Sequence, residues 1–459
     1  MSELNKIQKA MIEQEFLDEI GDLSQLQTTD KSSLKNAINE TVTQLAEREK
    51  SVTQFSTIQE AFDNAKNIYF PDGFYDIATT IEIKSPNTKV SFGSNVILRA
   101  VNGIKKIFNN TNMGEFVFDG KGAKFDLNET ADYVISVNAS VVVQDINISN
   151  VYGFNRSDTT NKWESAIEIR KCKDVVLDNI KIVDYANLNV TPGEESYGLG
   201  IFFSQSVKVT KLNIQNAFIG VLIQDSPDVQ IESFSLTDIK DNGVYVLGNS
   251  PDVKITKGVI TNAEEGVVTY SDRTIVDNVT FISNTNKGIT LRKTNYSKFS
   301  KCIFINCKTA IGDDGTYESS YIDIEGNTII DCTEYSIYLR KLTHSRIANN
   351  DVTSSVATLD IIRLTGSTLS DNVGNIVSNN RFNDANKTSS SCVTFTGGEG
   401  SLRSQIKGNT FVKANVAVKL FRPSGTGCIN NFVIDNIYQD VTTNYANSGG
   451  LTNTFREIA

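Results

Sequence analysis

Apolar residues recur in short alternating runs along most of the chain, and these runs repeat at a nearly constant spacing. Gly220, Gly243, Gly266, Gly288 and Ala310 each precede one run, at intervals of 22 or 23 residues. Each repeat also holds a second apolar run, as in VQIESFSL and YIDIEGNTII. Alternation with a period of two is typical of strands with one buried face. The pattern therefore predicts two or three short strands per repeat.

Repeats of this length predict a solenoid, in which each coil of chain stacks on the next and buries its apolar face. Residues 114–441 have room for roughly a dozen such coils. At about 4.8 Å per coil, the rod would be about 60 Å long. Crossovers between parallel strands are expected to be right-handed. The predicted fold class is all-β, a right-handed parallel β-helix with a short α-helical N-terminal region.

A short helix signal precedes the first strands. In STIQEAFDNAK, Ser56 and Gln59 have the spacing of a capping box, and apolar residues follow one helical face. Such a helix can cover an open sheet edge that would otherwise pair with other chains. With the line IYFPDGFYDIATTIEI, residues 56–98 resemble the start of the pectate-lyase-like superfamily. The resemblance implies a glycan-handling solenoid but no particular activity.

Residues 1–55 lack the repeat and carry two short apolar stripes, one from Leu4 to Leu17 and one from Leu34 to Phe55. They predict two helices that either pack between subunits or fold back as a cap. The segment GDLSQLQTTDKSSLKNAINE resembles a linker in tail fibres and baseplate proteins of phages that infect Gram-positive bacteria. This resemblance implies a tail fibre or tailspike that contacts phage tail or baseplate proteins through residues 1–55 and forms a homotrimer.

Four regions are predicted. Residues 1–55 form the helical attachment and oligomerisation region, and residues 56–113 form the N-terminal cap with the first strands. Residues 114–441 form the β-helix, and residues 442–459 form a C-terminal cap or tail.

Charge and composition exclude several classes of protein. A formal net charge of -10 argues against nucleic-acid binding, because phosphate backbones recruit basic surfaces. No apolar run approaches the ~20 residues of a membrane span. The N-terminus lacks a basic-then-apolar signal peptide, so secretion by the usual route is not expected. The resemblance to tail fibres implies synthesis in the host cytoplasm and display on the virion tail. Six cysteines without a CxxC pair and a single histidine, His344, predict free thiols, no metal site and no cofactor.

Asparagine pairs precede several strand-like runs, at Asn349-Asn350, Asn379-Asn380 and Asn430-Asn431. Asparagine tolerates the left-handed backbone conformation that a sharp bend requires. These pairs are therefore predicted to shape corners of the solenoid.

Outward-facing residues of equivalent strands should form columns one coil apart. Aromatic side chains with polar tips suit sugar rings, so an exposed aromatic column is a candidate glycan-binding face. An equally weighted alternative is burial of the same columns between the subunits of a trimer. The first predicted column is Glu168, Phe202, Leu222, Tyr245, Val268, Thr290, Gly312 and Tyr338. The second is Arg170, Ser204, Gln224, Leu247, Tyr270, Arg292, Asp314 and Arg340.

Two insertions, VYGFNRSDTTNKWES and YANLNVTPGEESYGL, interrupt the period on consecutive coils. Loops on rigid scaffolds are where binding groups concentrate. Trp163 and Tyr197 are therefore expected to wall a shared cleft floored by Glu168 and Phe202. Subunit contact is the alternative role of these loops. The predicted sugar-binding residues are Trp163, Tyr197, Phe202, Tyr245, Tyr270 and Arg292.

Glycoside hydrolysis needs two carboxyl groups, about 5 Å apart for retention and about 6.5 to 9.5 Å apart for inversion. Glu168 with Glu164, Glu194 or Glu195 is the predicted pair, and the catalytic candidates are Glu168, Glu164 and Glu195. Any single pair in an acidic solenoid is more often solvated surface charge. Rival pairs are Asp241 with Glu264 and Asp313 with Asp314.

Three functions remain open from the sequence. The first is a tailspike that binds and cleaves a host capsule, exopolysaccharide or wall glycan. The second is a tail fibre that only binds such a glycan. A secreted bacterial carbohydrate-active enzyme, the third, is disfavoured because the N-terminus lacks a signal peptide.

Overall fold

The computed structural model is a right-handed parallel β-helix of about 13 turns, and the predicted fold class is confirmed. Every strand pair in the described part of the chain is parallel. The strands form two large sheets and one pair of short strands. The described residues are 48–111, 114–128, 131–137, 141–149, 164–185, 196–356, 359–366, 372–397, 403–421, 428, 430–447 and 452–457.

The sheet that carries the candidate site, called sheet 2 below, receives one strand from each turn. Its inward side chains enter the core, and its outward side chains form columns along the rod. Its strands are β4 (Ile81–Ile83), β7 (Lys106–Asn110), β9 (Tyr133–Val137), β11 (Glu164–Arg170), β13 (Ser196–Phe202), β15 (Ile219–Gln224), β17 (Asn242–Leu247), β19 (Glu265–Thr269), β21 (Lys287–Leu291), β24 (Thr309–Asp313), β28 (Tyr335–Arg340), β32 (Asp360–Gly366), β35 (Ser391–Gly397), β38 (Val416–Phe421) and β40 (Thr443–Asn447).

The remaining sides of the solenoid are covered by sheet 1, with 24 strands. Its first strands are β1 (Lys50–Ser51), β2 (Asn67–Phe70), β3 (Gly73–Ile77), β5 (Thr88–Phe92), β6 (Val96–Ala100), β8 (Phe116–Asp126), β10 (Val141–Ser149), β12 (Lys173–Val183), β14 (Gln205–Gln215), β16 (Val229–Thr237), β18 (Lys254–Thr261) and β20 (Ile275–Ile282).

Most of the later turns contribute two shorter strands each to sheet 1. They are β22 (Lys298–Ser300), β23 (Ile303–Ile305), β26 (Asp323–Glu325), β27 (Thr328–Ile330), β30 (Arg346–Ala348), β31 (Asp351–Ser354), β33 (Ile376–Ser378), β34 (Arg381–Asp384), β36 (Gln405–Lys407), β37 (Thr410–Val412), β39 (Phe432–Gln439) and β41 (Thr454–Glu457). The short pair is β25 (Ser319–Ser320) and β29 (Leu342–Thr343).

A helix caps the N-terminal end, as the sequence predicts, but its first turn is shifted. Helix α1 spans Ile58–Asn64, and the Thr57 hydroxyl accepts a hydrogen bond from the Glu60 amide at 3.1 Å. The Glu60 carboxylate in turn accepts one from the Ser56 amide at 2.8 Å. The capping residues are therefore Thr57 and Glu60 rather than Ser56 and Gln59. No helix of the described residues is long and apolar enough to cross a membrane.

Gln59 instead closes the edge of sheet 2. Its Oε1 accepts from the backbone amide of Glu82 in β4 at 2.8 Å, and its Nε2 donates to the Glu82 carbonyl at 3.0 Å. The side-chain amide thus replaces a neighbouring strand at the open edge. The predicted helical stripe up to Phe55 is wrong at its end, because a 3-10 helix, Val52–Gln54, follows β1 there.

The core of the solenoid is a stack of inward residues, in the register that the alternation predicts. Stacked phenylalanines fill the first turns, with Phe70 and Phe92 rings 5.0 Å apart. All six cysteines are buried and free. The inward residues predicted for the central turns are all buried, namely Val244, Val246, Val267, Thr269, Ile289 and Leu291.

The periodic glycines form a ladder in which consecutive turns approach closely. A Cβ added at Gly243 would lie 2.5 Å from the carbonyl oxygen of Gly266, and one at Gly266 would lie 2.4 Å from that of Gly288. These distances are too short for any side chain without a shift of the backbone. At these glycines the interval of 22 or 23 residues therefore brings the backbones of consecutive turns closer than a side chain would allow.

Corner residues adopt left-handed backbone conformations in every part of the rod. Asn349 and Asn379 have φ values of 57° and 55°. Their neighbours are buried, and Asn350 Nδ2 donates to Asn380 Oδ1 at 2.9 Å in a ladder that continues over several turns. The predicted structural role of the asparagine pairs is confirmed. Many other corners use lysine or aspartate, which the sequence analysis did not anticipate.

Candidate functional site

The outward columns of sheet 2 follow the predicted order from Leu222 onward. Leu222 pairs with Tyr245, and the column continues through Val268 and Thr290. In the earlier turn the prediction is wrong by two residues. The residue opposite Glu168 is Gly200, and Phe202 lies opposite Arg170.

The reason for this shift is the identity of the ladder glycine in β13. A Cβ at Gly198 would lie 2.9 Å from the Gly220 carbonyl oxygen, so Gly198 belongs to the ladder. The prediction had assigned that position to Gly200, two residues further along. The insertion that precedes β13 removes the constant spacing that would have identified the correct glycine.

The described residues of the predicted cleft near Glu168 are buried. Glu168 is 5% exposed and Phe202 is 2% exposed, and Tyr197 is fully buried at the start of β13. Tyr197 packs against Phe202, with ring centroids 6.4 Å apart, and both join an apolar cluster on the outside of sheet 2. Neither ring is exposed on the described face, and their role in sugar binding stays a prediction. Trp163, Glu194 and Glu195 lie outside the described residues.

The carboxylate of Glu168 is held by two donors. Ser136 Oγ donates to Oε1 at 2.8 Å, and Arg170 Nη2 donates to Oε2 at 2.9 Å. Glu164 is also buried. Tyr133, which sequence reasoning missed, lies near both carboxylates: burial first, and then the charges of Glu168 and Glu164, raise the pKa of its hydroxyl. The pairing of Glu168 with Arg170 indicates a charge-stabilising role rather than an open acid–base site.

A second group of residues, further along the same face, combines aromatic rings with a paired cation. Arg292 Nη1 donates to the Tyr270 hydroxyl at 3.1 Å, and the guanidinium carbon lies 5.5 Å from the centre of the Tyr270 ring. Arg292 also contacts Glu265 and Asp314, each at 3.3 Å. We call Tyr245, Glu265, Tyr270, Arg292, Asp314 and Tyr317 the central cluster.

Glu265 fixes the base of the central cluster. It is buried, and its Oε1 accepts from Thr290 Oγ1 at 2.7 Å and from Lys287 Nζ at 3.2 Å. Its other oxygen accepts from Arg292 Nη2. Buried charges are stable when paired and hydrogen-bonded in this way. Burial opposes the charge on Arg292, but Glu265 and Tyr270 outweigh it and raise the pKa of Arg292.

Three tyrosines give the central cluster an aromatic surface. The rings of Tyr245 and Tyr270 lie 6.1 Å apart, and those of Tyr270 and Tyr317 lie 6.2 Å apart in an edge-on arrangement. Tyr317 belongs to the turn after β24 and is 41% exposed. Burial is the main cause that raises the pKa of Tyr245, so its hydroxyl remains a hydrogen-bond donor at neutral pH.

The face continues into the next turns with a second aromatic pair. Tyr335 and Tyr338 stack at 4.5 Å, and the Arg340 guanidinium lies 5.3 Å from the Tyr338 ring. Arg340 Nε contacts Asp313 Oδ1 at 3.1 Å, and its backbone amide also donates to this carboxylate. Burial nevertheless raises the pKa of Asp313 to about 6.

The structure thus brings together three of the predicted sugar-binding residues, Tyr245, Tyr270 and Arg292. Sequence reasoning missed Glu265 and Tyr317. Of the rival carboxylate pairs, Asp313 and Asp314 point to different partners, Arg340 and Arg292. In the rival pair of Asp241 and Glu264, Glu264 is exposed, and its neighbour Glu265 is the carboxylate that joins the cluster. Within the described ranges, no group of three or more acidic, histidine or cysteine side chains could hold a metal ion.

Solved structures with a similar fold are distant in sequence. A surface adhesin of Streptococcus pneumoniae, PfbA, is 11% identical, with a TM-score of 0.47 over 79% of this chain and 90% of that chain. The catalytic domain of a GH87 α-1,3-glucanase with nigerose is 12% identical, with a TM-score of 0.37 over 90% and 68%. A DFA-IIIase mutant from Arthrobacter chlorophenolicus A6 is 12% identical, with a TM-score of 0.43 over 80% and 94%.

Similarity at this level carries no information on activity. No curated protein matches the chain significantly in sequence. A family model does match, over residues 197–315 and 274–436, which together make up just over half of the chain. That family is described as the right handed beta helix region, and this chain belongs to it.

Proposed function

We propose that the chain is the receptor-binding β-helix of a phage tail fibre or tailspike, and that its central cluster binds a host surface polysaccharide. The observation that carries this proposal is the row of Tyr245, Tyr270 and Tyr317, in which Arg292 donates a hydrogen bond to the Tyr270 hydroxyl. Aromatic rings supply contact area for the apolar faces of sugars, and their hydroxyls supply polar contacts at the edges.

The charged members of the cluster suit hydroxyl-rich ligands. Arg292 and Asp314 offer donors and acceptors beside the rings, and charge-assisted hydrogen bonds are the stronger ones. Glu265, which also pairs with Lys287, holds the Arg292 guanidinium, so its orientation is set before a ligand arrives. A binding group that is fixed in advance loses less entropy on association.

The phage assignment is supported by the sequence of residues 21–40, which resembles a linker of tail fibres and baseplate proteins. In the same proposal, residues 1–55 contact tail or baseplate proteins, the chain is a homotrimer, and the protein is displayed on the virion. Light scattering tests the trimer, since a mass near the 50.5 kDa of one chain contradicts it. A gene position outside a cluster of phage tail genes contradicts the tail assignment.

An array of purified bacterial capsular, exopolysaccharide and wall glycans tests the proposal. The wild-type chain is expected to bind at least one member, and Tyr270→Ala is expected to lose that binding. New reducing ends or unsaturated sugars in the same samples distinguish a depolymerase from a pure binder. Binding to no member, or equal binding by Tyr270→Ala, contradicts the assignment of the face.

A further inference from the structure

A groove of about 380 Å³ lies at the corner that follows the central cluster along the chain. Tyr270 forms one wall and therefore belongs to both sites. Arg273, three residues after Tyr270, also lines the groove, as do Asn295 and Lys293, which directly follows Arg292 in the chain. A ligand that lies on the Tyr270 ring can therefore extend a substituent into the groove without leaving the protein surface.

The three charged side chains that line this corner groove differ in whether a neighbour engages them. Arg273 is balanced, because its Nε and Nη2 donate to both carboxylate oxygens of Asp252 at 2.7 and 2.9 Å. Asp272 is held in place because its Oδ1 accepts hydrogen bonds from the backbone amide and the side-chain amide of Asn295. Lys293 is exposed and makes no ion pair with any residue of the described chain.

Lys293 differs in this respect from the cations on the face of sheet 2. Arg292 and Lys287 contact Glu265, and Arg340 contacts Asp313. Of the three charged side chains in the lining, Arg273 is paired with Asp252 and Asp272 accepts hydrogen bonds from Asn295, so Lys293 is the one whose charge no ion pair or hydrogen bond of the described chain engages. An exposed ammonium group without an ion-pair partner beside a ligand face favours an anionic group on the ligand.

We propose that the corner groove binds an oxyanion substituent of the glycan, a carboxylate or a phosphate, through the ammonium group of Lys293. The inference rests on the proposed function, because it places the sugar backbone on Tyr270. It adds the chemical class of the ligand, an acidic polysaccharide. Lys293 has a left-handed φ of 56°, which fixes the direction of the chain at the groove wall.

Lys301 provides a matched control for Lys293. It belongs to the same turn of the solenoid, is exposed, and has a similar left-handed φ of 52°. It lies between β22 and β23, in sheet 1, and does not line the groove. Lys293→Gln and Lys301→Gln therefore remove the same charge from the same backbone conformation at two different places.

The test uses the glycan array with each acidic member also presented after carboxyl reduction or after removal of phosphate. Wild type is expected to bind the acidic form of its ligand about fivefold more tightly than the neutralised form. Lys293→Gln should bind both forms equally, and Lys301→Gln should behave as wild type. If carboxyl reduction weakens binding, the substituent is a carboxylate, and if removal of phosphate weakens binding, it is a phosphate. The preference of wild type should also weaken with added salt.

Two results overturn the inference while leaving the proposed function intact. One is wild-type binding that is indifferent to neutralisation but lost in Tyr270→Ala, and the other is an acidic preference that survives in Lys293→Gln. Wild-type-like binding by Tyr270→Ala instead contradicts the proposed function, on which the inference rests. A loss in Lys301→Gln equal to that in Lys293→Gln indicates a general charge effect and also overturns the inference.

Discussion

Arg292 donates a hydrogen bond of 3.1 Å to the hydroxyl of Tyr270, a residue 22 positions earlier in the chain. The same guanidinium contacts Glu265 at the start of β19 and Asp314 after β24. One cation therefore joins three consecutive turns on the outside of sheet 2. This arrangement fixes the aromatic surface that we propose binds a glycan.

Removal of Arg292 should destabilise the rod locally. Arg292→Ala leaves the buried carboxylate of Glu265 with fewer donors, and we expect a loss of about 2 kcal/mol in the free energy of unfolding. Arg456 is the control, because its ion pair with Asp435 is well exposed and screened by solvent, and Arg456→Ala should cost clearly less stability than Arg292→Ala. Urea unfolding measures both, and equal losses contradict the interpretation.

Val246 tests the register of sheet 2. Its side chain is fully buried, so Val246→Asp introduces an unpaired buried charge that costs several kcal/mol. We expect insoluble or unfolded protein, measured by soluble yield and circular dichroism. Val259, which is 37% exposed on the next strand of sheet 1, is the control, and Val259→Asp should fold. Fully folded Val246→Asp protein shows that the inward register is incorrect.

The glycine ladder should tolerate no added side chain at its centre. In Gly266→Ala the new methyl group would meet the Gly288 carbonyl at 2.4 Å and the Phe281 ring at 2.6 Å. Overpacking of this kind typically costs about 1–3 kcal/mol. Ala310 occupies the next ladder position after Gly288 and already carries a Cβ, so Ala310→Gly should change stability by about 1 kcal/mol or less. An unchanged thermal midpoint for Gly266→Ala argues against close contact along the ladder.

Asp313 should give stability a distinctive dependence on pH. Its folded pKa, about 6, lies above the ordinary value of 3.8, so the folded state retains a proton that the unfolded state loses. This contribution to stability is complete below pH 3.8 and is lost as the pH rises through about 6. Other carboxylates act in the opposite direction, so the comparison must be with Asp313→Asn. Between pH 4 and 6, wild type should lose stability relative to this variant, and parallel curves contradict the shift.

The sequence predicted most of the fold because the repeat carries its own register. Constant spacing and alternation placed Val246 inward and Tyr245 and Tyr270 outward, and the structure agrees. The failure at β13 has a specific cause. SYGLGIF offers two glycines, Gly198 and Gly200, and only contact with the next turn identifies the first as the ladder residue.

The rest of the site depended on contacts that no period encodes. Tyr317 lies in the turn after β24 and reaches back two turns to Tyr270. Glu265 sits next to Glu264, and the alternation alone did not decide which of them faces the cluster. Asp313 left a signal that could have been recognised, because it interrupts an inward column between Leu291 and Leu339. A carboxyl group in an apolar stack requires a partner, and Arg340 supplies it.

Titration calorimetry with the polysaccharide selected by the array tests the central claim most directly. The comparison uses wild type, Tyr270→Ala and Tyr321→Ala. Tyr321 is the control, since it is another exposed tyrosine, stacked between Tyr296 and His344 at a different corner. If the central cluster binds the glycan, Tyr270→Ala should weaken affinity at least tenfold, or about 1.4 kcal/mol, and Tyr321→Ala should match wild type. Unchanged affinity in Tyr270→Ala, or a loss confined to Tyr321→Ala, contradicts the account.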